Sequence, residues 1–181
     1  MNRFLMSVLG VLLFGMSLQA SQVTGELSVT TTSYSRAAPM RLSGTSYIAS
    51  GATLANAKAF DFTNTVAITP GIDGDVALTA ATGDFVPYLA LMQGKVKDFS
   101  FFGPGTASYS YPAGIIFTVG NFLSVRLNSI VVAYQSLSAL VLSGDVTIYM
   151  NGRDPTSGTF SISSNKVGTI LTFTAVPTTN Q

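Results

Sequence analysis

The sequence predicts an all-β protein, a single antiparallel β-sandwich of jelly-roll character that follows an N-terminal signal helix. Three observations predict it. Beyond residue 25, apolar residues recur at every second position, the side-chain period of a strand. The segments with this pattern are short and separated by Gly, Pro, Asn and Asp, which supply turns. No long helical pattern follows the first 20 residues.

The first element is "MNRFLMSVLGVLLFGMSLQA", residues 1–20. Arg3 gives it a positive start, residues 4–16 an apolar run, and residues 17–20 a small and polar end. As a helix the apolar run covers about 20 Å, short of the ~30 Å hydrocarbon core of a bilayer. This is the pattern of a secretory signal peptide, with cleavage expected after Ala20. The folded domain is then expected over residues 21–176, with a short tail over 177–181.

The strands follow in order. "ELSVTTTSY" alternates Leu27 and Val29 with polar neighbours. "GATLANAKAF", residues 51–60, fits a short turn or helix. "VPYLALMQGKV", residues 86–96, fits either a helix bearing Leu89, Leu91 and Met92 or a strand ending at Gly94. "FFGPGTASYSYPAG", residues 101–114, holds Pro104 and Pro112 and reads as a long loop. "VRLNSIVVAY", "SALVLSG", "DVTIYMN", "GTFSISSN" and "GTILTFTAV" then succeed one another as strands. Val146, Ile148 and Met150 share one face, as do Phe160 and Ile162; Leu171, Phe173 and Ala175 lie opposite Ile170, Thr172 and Thr174. Within this run no charge occurs between Asp98 and Arg126, or between Arg126 and Asp145. Such strands are templates for pairing with another chain if one lies at a sheet edge.

Composition narrows the chemistry. Hydrophobic residues make up 47% of the 181 residues and charged residues 9%, so Ser and Thr occupy the surface positions that Lys and Glu usually take. Formal net charge is +1 and falls to zero once Arg3 is removed with the leader. There is no basic stripe to displace counterions from a nucleic acid. The chain has no Cys, His or Trp. Thiol nucleophiles, zinc fingers and Ser-His-Asp triads are thereby excluded, and no disulfide supports the fold.

Three groups of residues are candidate sites. Asp73 and Asp75 in "PGIDGDV", with Asp84 in "ATGDF", offer the hard oxygen ligands that Ca²⁺ takes; turn chemistry accounts for the same Asp-Gly steps. No other cofactor is expected. Asp61, Asp84 and Asp98 each adjoin a Phe. A pair of carboxylates at the right separation serves glycoside hydrolysis, but on a strand the Phe simply goes to the core and the Asp to solvent. Tyr109 and Tyr111 in "ASYSYP" share a face of a charge-free loop and are the candidate ligand-binding aromatics. Lys95 and Lys97 alternate along "GKVKDF", the pattern of a solvated face that protects a sheet edge. In "NGRDPTSGTFSI", residues 151–162, Asn151-Gly152 closes a hairpin, and Arg153 is expected to face solvent or to pair with Asp154 or Asp145.

The order of motifs carries a resemblance. "GELSVTT", "AFDFTNTVAIT", "TAATGDFVPYL", "GKVKDFSF", "FTVGNFLSVRLNSIVV", "LSALVLSGDVTIYMNGRDPTSGTFSIS" and "TFTAVP" together resemble the bacterial exported proteins associated with the PEP-CTERM/exosortase sorting system. Arg153 stands where those proteins usually carry a Phe. After Val176-Pro177 they tend to continue into a sorting anchor, whereas this sequence reads "VPTTNQ". The resemblance implies a β-rich envelope or matrix protein and no catalytic residues.

The function expected is a non-enzymatic secreted structural protein of the bacterial cell surface or extracellular biofilm matrix. Its expected partners are itself, through strand edges or a donated N-terminal segment, and extracellular polysaccharide. No nucleic-acid partner and no stable membrane anchor are expected. The alternative is a carbohydrate-binding, adhesin-like module; an Asp-dependent hydrolase ranks last.

Overall fold

The structure, a computed structural model, describes residues 20–30, 41–43, 54–57, 59–61, 73–91, 93–97, 99–101, 114–165 and 169–178. Residues 1–19 of the expected leader over 1–20, and Tyr109 and Tyr111, lie outside these residues. The strands are β1 (Glu26–Thr30), β2 (Arg41–Ser43), β3 (Ala59–Asp61), β4 (Asp73–Ala81), β5 (Gln93–Lys97), β6 (Phe99–Ser100), β7 (Ile115–Val119), β8 (Leu123–Leu127), β9 (Val131–Gln135), β10 (Ala139–Met150), β11 (Thr156–Asn165) and β12 (Thr169–Ala175). A 3₁₀ helix over Gly83–Leu91 separates β4 from β5. Of the two readings of residues 86–96 the helical one holds as far as Leu91; the strand does not end at Gly94 but starts at Gln93 and runs through it to Lys97.

The protein is all-β, but it is a barrel and not a sandwich. Eight strands pair antiparallel in the order β10-β11-β12-β1-β4-β5-β7-β8, and β8 returns to β10. A sandwich and a barrel share the same alternation of inward and outward residues. What separates them is the pairing of the first strand with the last. Here β1 meets β12 with Leu27 opposite Phe173 and Val29 opposite Leu171, which leaves no gap for two sheets to part.

Every strand of the barrel sends its alternate apolar residues inward. Leu27, Val29, Val96, Phe117, Val125, Ile148, Ile162, Leu171 and Phe173 are all fully buried. The rings of Phe117 and Phe173 stack at 4.9 Å between centroids. Eight strands leave an interior just wide enough for side chains to fill, and here they fill it. The outward row is hydroxyl-rich, with Ser28, Thr79, Thr118, Ser124, Thr147, Thr159, Ser161 and Thr172. That is the reverse of a barrel set in a bilayer, which turns its apolar residues outward.

The expected strands "SALVLSG" and "DVTIYMN" are one strand, β10, running through Gly144. The expected strand "VRLNSIVVAY" is instead broken into β8 and β9 at residues 128–130. Both halves still follow β10: Leu127 faces Val146 and Val131 faces Ser143. The β8–β9 chain therefore spends one more residue than β10 across this gap, a bulge that bends the pair. Its backbone crosses so close to Gly144 that a Cβ there would lie 2.0 Å from the Ser129 carbonyl oxygen. Ser129 locks the bulge by donating to the Asp145 carboxylate at 2.7 Å and accepting from the Asp145 amide at 3.0 Å.

A smaller sheet, β2-β3-β6, joins the same hydrophobic core through Phe60 and Phe99. Phe60 packs against Phe99 and Phe101 at 5.5 and 5.3 Å. Gln135 of β9 donates to the carbonyls of Leu54 and Ala57, both at 2.8 Å, so β9 holds the turn that leads into this sheet.

Candidate functional site

Polar side chains converge at the end of the barrel where the β10–β11 connection lies. The connection begins with the turn foreseen in the sequence. Gly152 takes φ +76°, and Arg153 N–H donates to the Met150 carbonyl at 3.0 Å. A second hairpin, β7–β8, turns beside it over residues 120–122, and the Asn151 amide donates to the Phe122 carbonyl at 3.0 Å. The two hairpin tips are therefore fixed to one another.

A third piece is the segment before β1. Residues 21–25 run across this end as a strap. Asp154 N–H donates to the Ser21 carbonyl at 3.3 Å, and Val23 N–H to the Thr156 hydroxyl at 2.8 Å. Val23 is itself fully buried. The strap then passes the start of the 3₁₀ helix at very short range. A Cβ on Gly25 would lie 2.3 Å from the Thr82 oxygen, and one on Gly83 would lie 2.5 Å from the Thr24 oxygen. Both residues have positive φ, so only glycine meets both demands.

That crossing delivers Asp84 to the strap. Its carboxylate accepts from Thr24 N–H at 2.8 Å and from the Thr24 hydroxyl at 3.0 Å. Its other oxygen pairs with the Arg153 guanidinium, which also donates to the Ser21 hydroxyl. Arg153 thus pairs neither with Asp154 nor with Asp145: Asp154 is held by its backbone to the strap, and Asp145 is taken by Ser129. Tyr88, on the same helix, has its phenol pushed above the ordinary value of 10.0 by burial and by the Asp84 carboxylate, with Arg153 partly opposing the shift.

Between the two hairpins lies a cleft of about 130 Å³, lined by Asn121, Phe122, Ser124, Tyr149, Asn151 and Arg153 among others. Phe122 is 47% exposed at its rim. A wider depression of about 370 Å³ lies over β10 and β11 beside the bulge; Asp145 and the hydroxyls of Ser143, Thr159, Ser161 and Thr174 line it, and its aromatic, Phe160, is buried.

The residues proposed from sequence are distributed differently. Asp73 and Asp75 open β4, opposite Lys97 and Lys95 of β5. Asp84 follows the far end of that nine-residue strand, whose eight residue steps cover roughly 26 Å at ~3.3 Å each. The backbone thus sets Asp73 and Asp75 in one end of β4, and Asp84 in the 3₁₀ helix that follows its other end. Among the described residues no three His, Cys, Asp or Glu side chains stand together as a metal site. Asp61 sits in β3 opposite Arg41, and Asp98 lies outside the described residues. Lys95 and Lys97 protect no edge, because β5 is paired on both sides, by β4 and β7.

Sequence reasoning missed Phe122 and the Arg153–Asp84 pair. Phe122 carried a usable signal, an aromatic directly after the turn pair Gly120-Asn121. The ion pair carried none, since 69 positions separate its partners. The chain matches no protein-family model, no characterised protein and no solved structure.

Proposed function

We propose that this protein is a non-enzymatic structural component of the bacterial cell surface or extracellular matrix, exported with loss of residues 1–20, whose copies associate through strand β9. The motif order that resembles PEP-CTERM-associated exported proteins supports the setting. The observation that carries the mode of association is the edge of β9. Among the described residues β9 pairs with β10 alone, while every barrel strand is paired on both sides. The strand Val-Val-Ala-Tyr-Gln has no charge, and Val131 and Tyr134 are 44% and 54% exposed. Leu137, in the turn that follows, is 69% exposed. Natural edge strands are usually guarded by Lys, Pro or a covering element.

Antiparallel pairing of β9 with β9 of a second copy brings no like charges together and is closed by a two-fold axis. Sedimentation velocity over a wide concentration range tests this. The protein is expected to self-associate, and Ala133→Lys, at an exposed position, is expected to weaken association at least tenfold at a stability cost below about 1 kcal/mol. A strictly monomeric protein that never appears in the matrix fraction would overturn the proposal.

A further inference from the structure

We infer that the cleft between the two hairpin tips binds one ring of a neutral glycan. This site does not depend on pairing at β9, and a monomer carries it whole. Three features define the ligand. The first is the half-exposed ring of Phe122 at the rim, with Tyr149 beside it in the lining. An aromatic flank accepts the C–H face of a sugar, an apolar surface on an otherwise polar molecule. The second is the polar lining of Asn121, Ser124 and Asn151. Amides and hydroxyls both donate and accept, as sugar hydroxyls do, so they satisfy such a ligand in either direction.

The third feature is charge. Among the described residues of the lining Arg153 alone is charged, and its guanidinium is already paired with Asp84 and Ser21. A phosphate or carboxylate would have to compete with Asp84 for it, and a neutral ligand would not. The cleft is also preorganised, because the Asn151 amide to Phe122 carbonyl bond holds its two walls together. At about 130 Å³ it is smaller than the ~300 Å³ lower bound of sites for drug-sized ligands, which limits it to a single ring and weak affinity. A polymer that presents many rings to many copies then gains by avidity.

The test is amide-resolved NMR titration with a panel of neutral oligosaccharides, namely cello-, laminari-, malto- and galacto-oligosaccharides, against inorganic phosphate and oligogalacturonate. At least one neutral member is expected to shift the amides of Asn121, Ser124 and Asn151 with a dissociation constant near the millimolar range. Phe122→Ala is expected to weaken that binding at least tenfold, and Asn121→Ala severalfold. Both positions lie in a surface turn, and an unchanged melting temperature shows that the fold is retained. The inference is overturned if no neutral member shifts these amides, if an anion shifts them instead, if they move only with protein concentration as in self-association, or if Phe122→Ala binds as well as the parent.

Discussion

Asp84 is the residue on which the barrel end turns. It accepts two hydrogen bonds from Thr24 and holds the guanidinium of Arg153, and its side chain is only 18% exposed. Removing it leaves the Thr24 amide and the Arg153 cation without that acceptor, and groups stripped of a charged partner cost more than the bond itself is worth. Asp84→Ala is therefore expected to cost about 2–3 kcal/mol in urea denaturation. Arg153 is 34% exposed, so water screens its share of the pair, and Arg153→Ala is expected to cost no more than about 1 kcal/mol. A double-mutant cycle separates the ion pair from the bonds to Thr24. If Arg153→Ala proves the costlier change, the strap is held mainly through Arg153 and not by Thr24 and Asp84. None of this could be read from "NGRDPTSG" alone. The Gly152 turn is a local property of four residues, whereas Arg153 finds its partner through a crossing of strap and helix that two distant glycines permit.

At the scale of elements, the strap over residues 21–25 behaves as a structural member of the barrel. It buries Val23, ties Ser21 to Asp154 and Val23 to Thr156, and receives Asp84. A buried Val contributes about 2 kcal/mol and each net hydrogen bond about 1 kcal/mol. A chain beginning at Glu26 is then expected to melt more than ~10 °C below one beginning at Ser21, given ~2–4 °C per kcal/mol for a protein of this size. Calorimetry of the two chains checks it, and equal melting temperatures would show the strap to be ornamental. The strands themselves were legible because alternation is local: Leu27 with Val29, Phe160 with Ile162, and Leu171 with Phe173 are buried as their spacing requires. The break at residues 128–130 was not legible. "LNSIVV" keeps strand composition throughout, and the bulge follows from the mismatch with β10, a property of two chains side by side.

At the scale of the whole molecule, closure is the fact that alternation could not supply. Val29 alternates identically whether β1 meets β12 or the edge of a second sheet; only the register Val29–Leu171 and Leu27–Phe173 decides. Closure has an energetic consequence. In a sandwich the edge strands, paired on one side only, can fray while the shared core holds. In this barrel the core is continuous from β12 through β1 to β8, and loss of packing at the closing strand is felt all round. Phe173 is the place to test it, since it is fully buried, stacked on Phe117 of β7, and opposite both Leu27 and Phe160. Phe173→Ala is expected to cost about 3–5 kcal/mol, a large part of the ~5–15 kcal/mol that holds such a protein folded. The loss is expected to appear as a single cooperative transition. In native-state hydrogen exchange, amides of β4 and β5, which do not touch β12 by backbone pairing, are expected to lose protection in step with those of β11 and β12. If β4, β5 and β7 keep their full protection while β11 and β12 open alone, then the strands do not share one barrel core and the closing β1–β12 seam carries little of the stability.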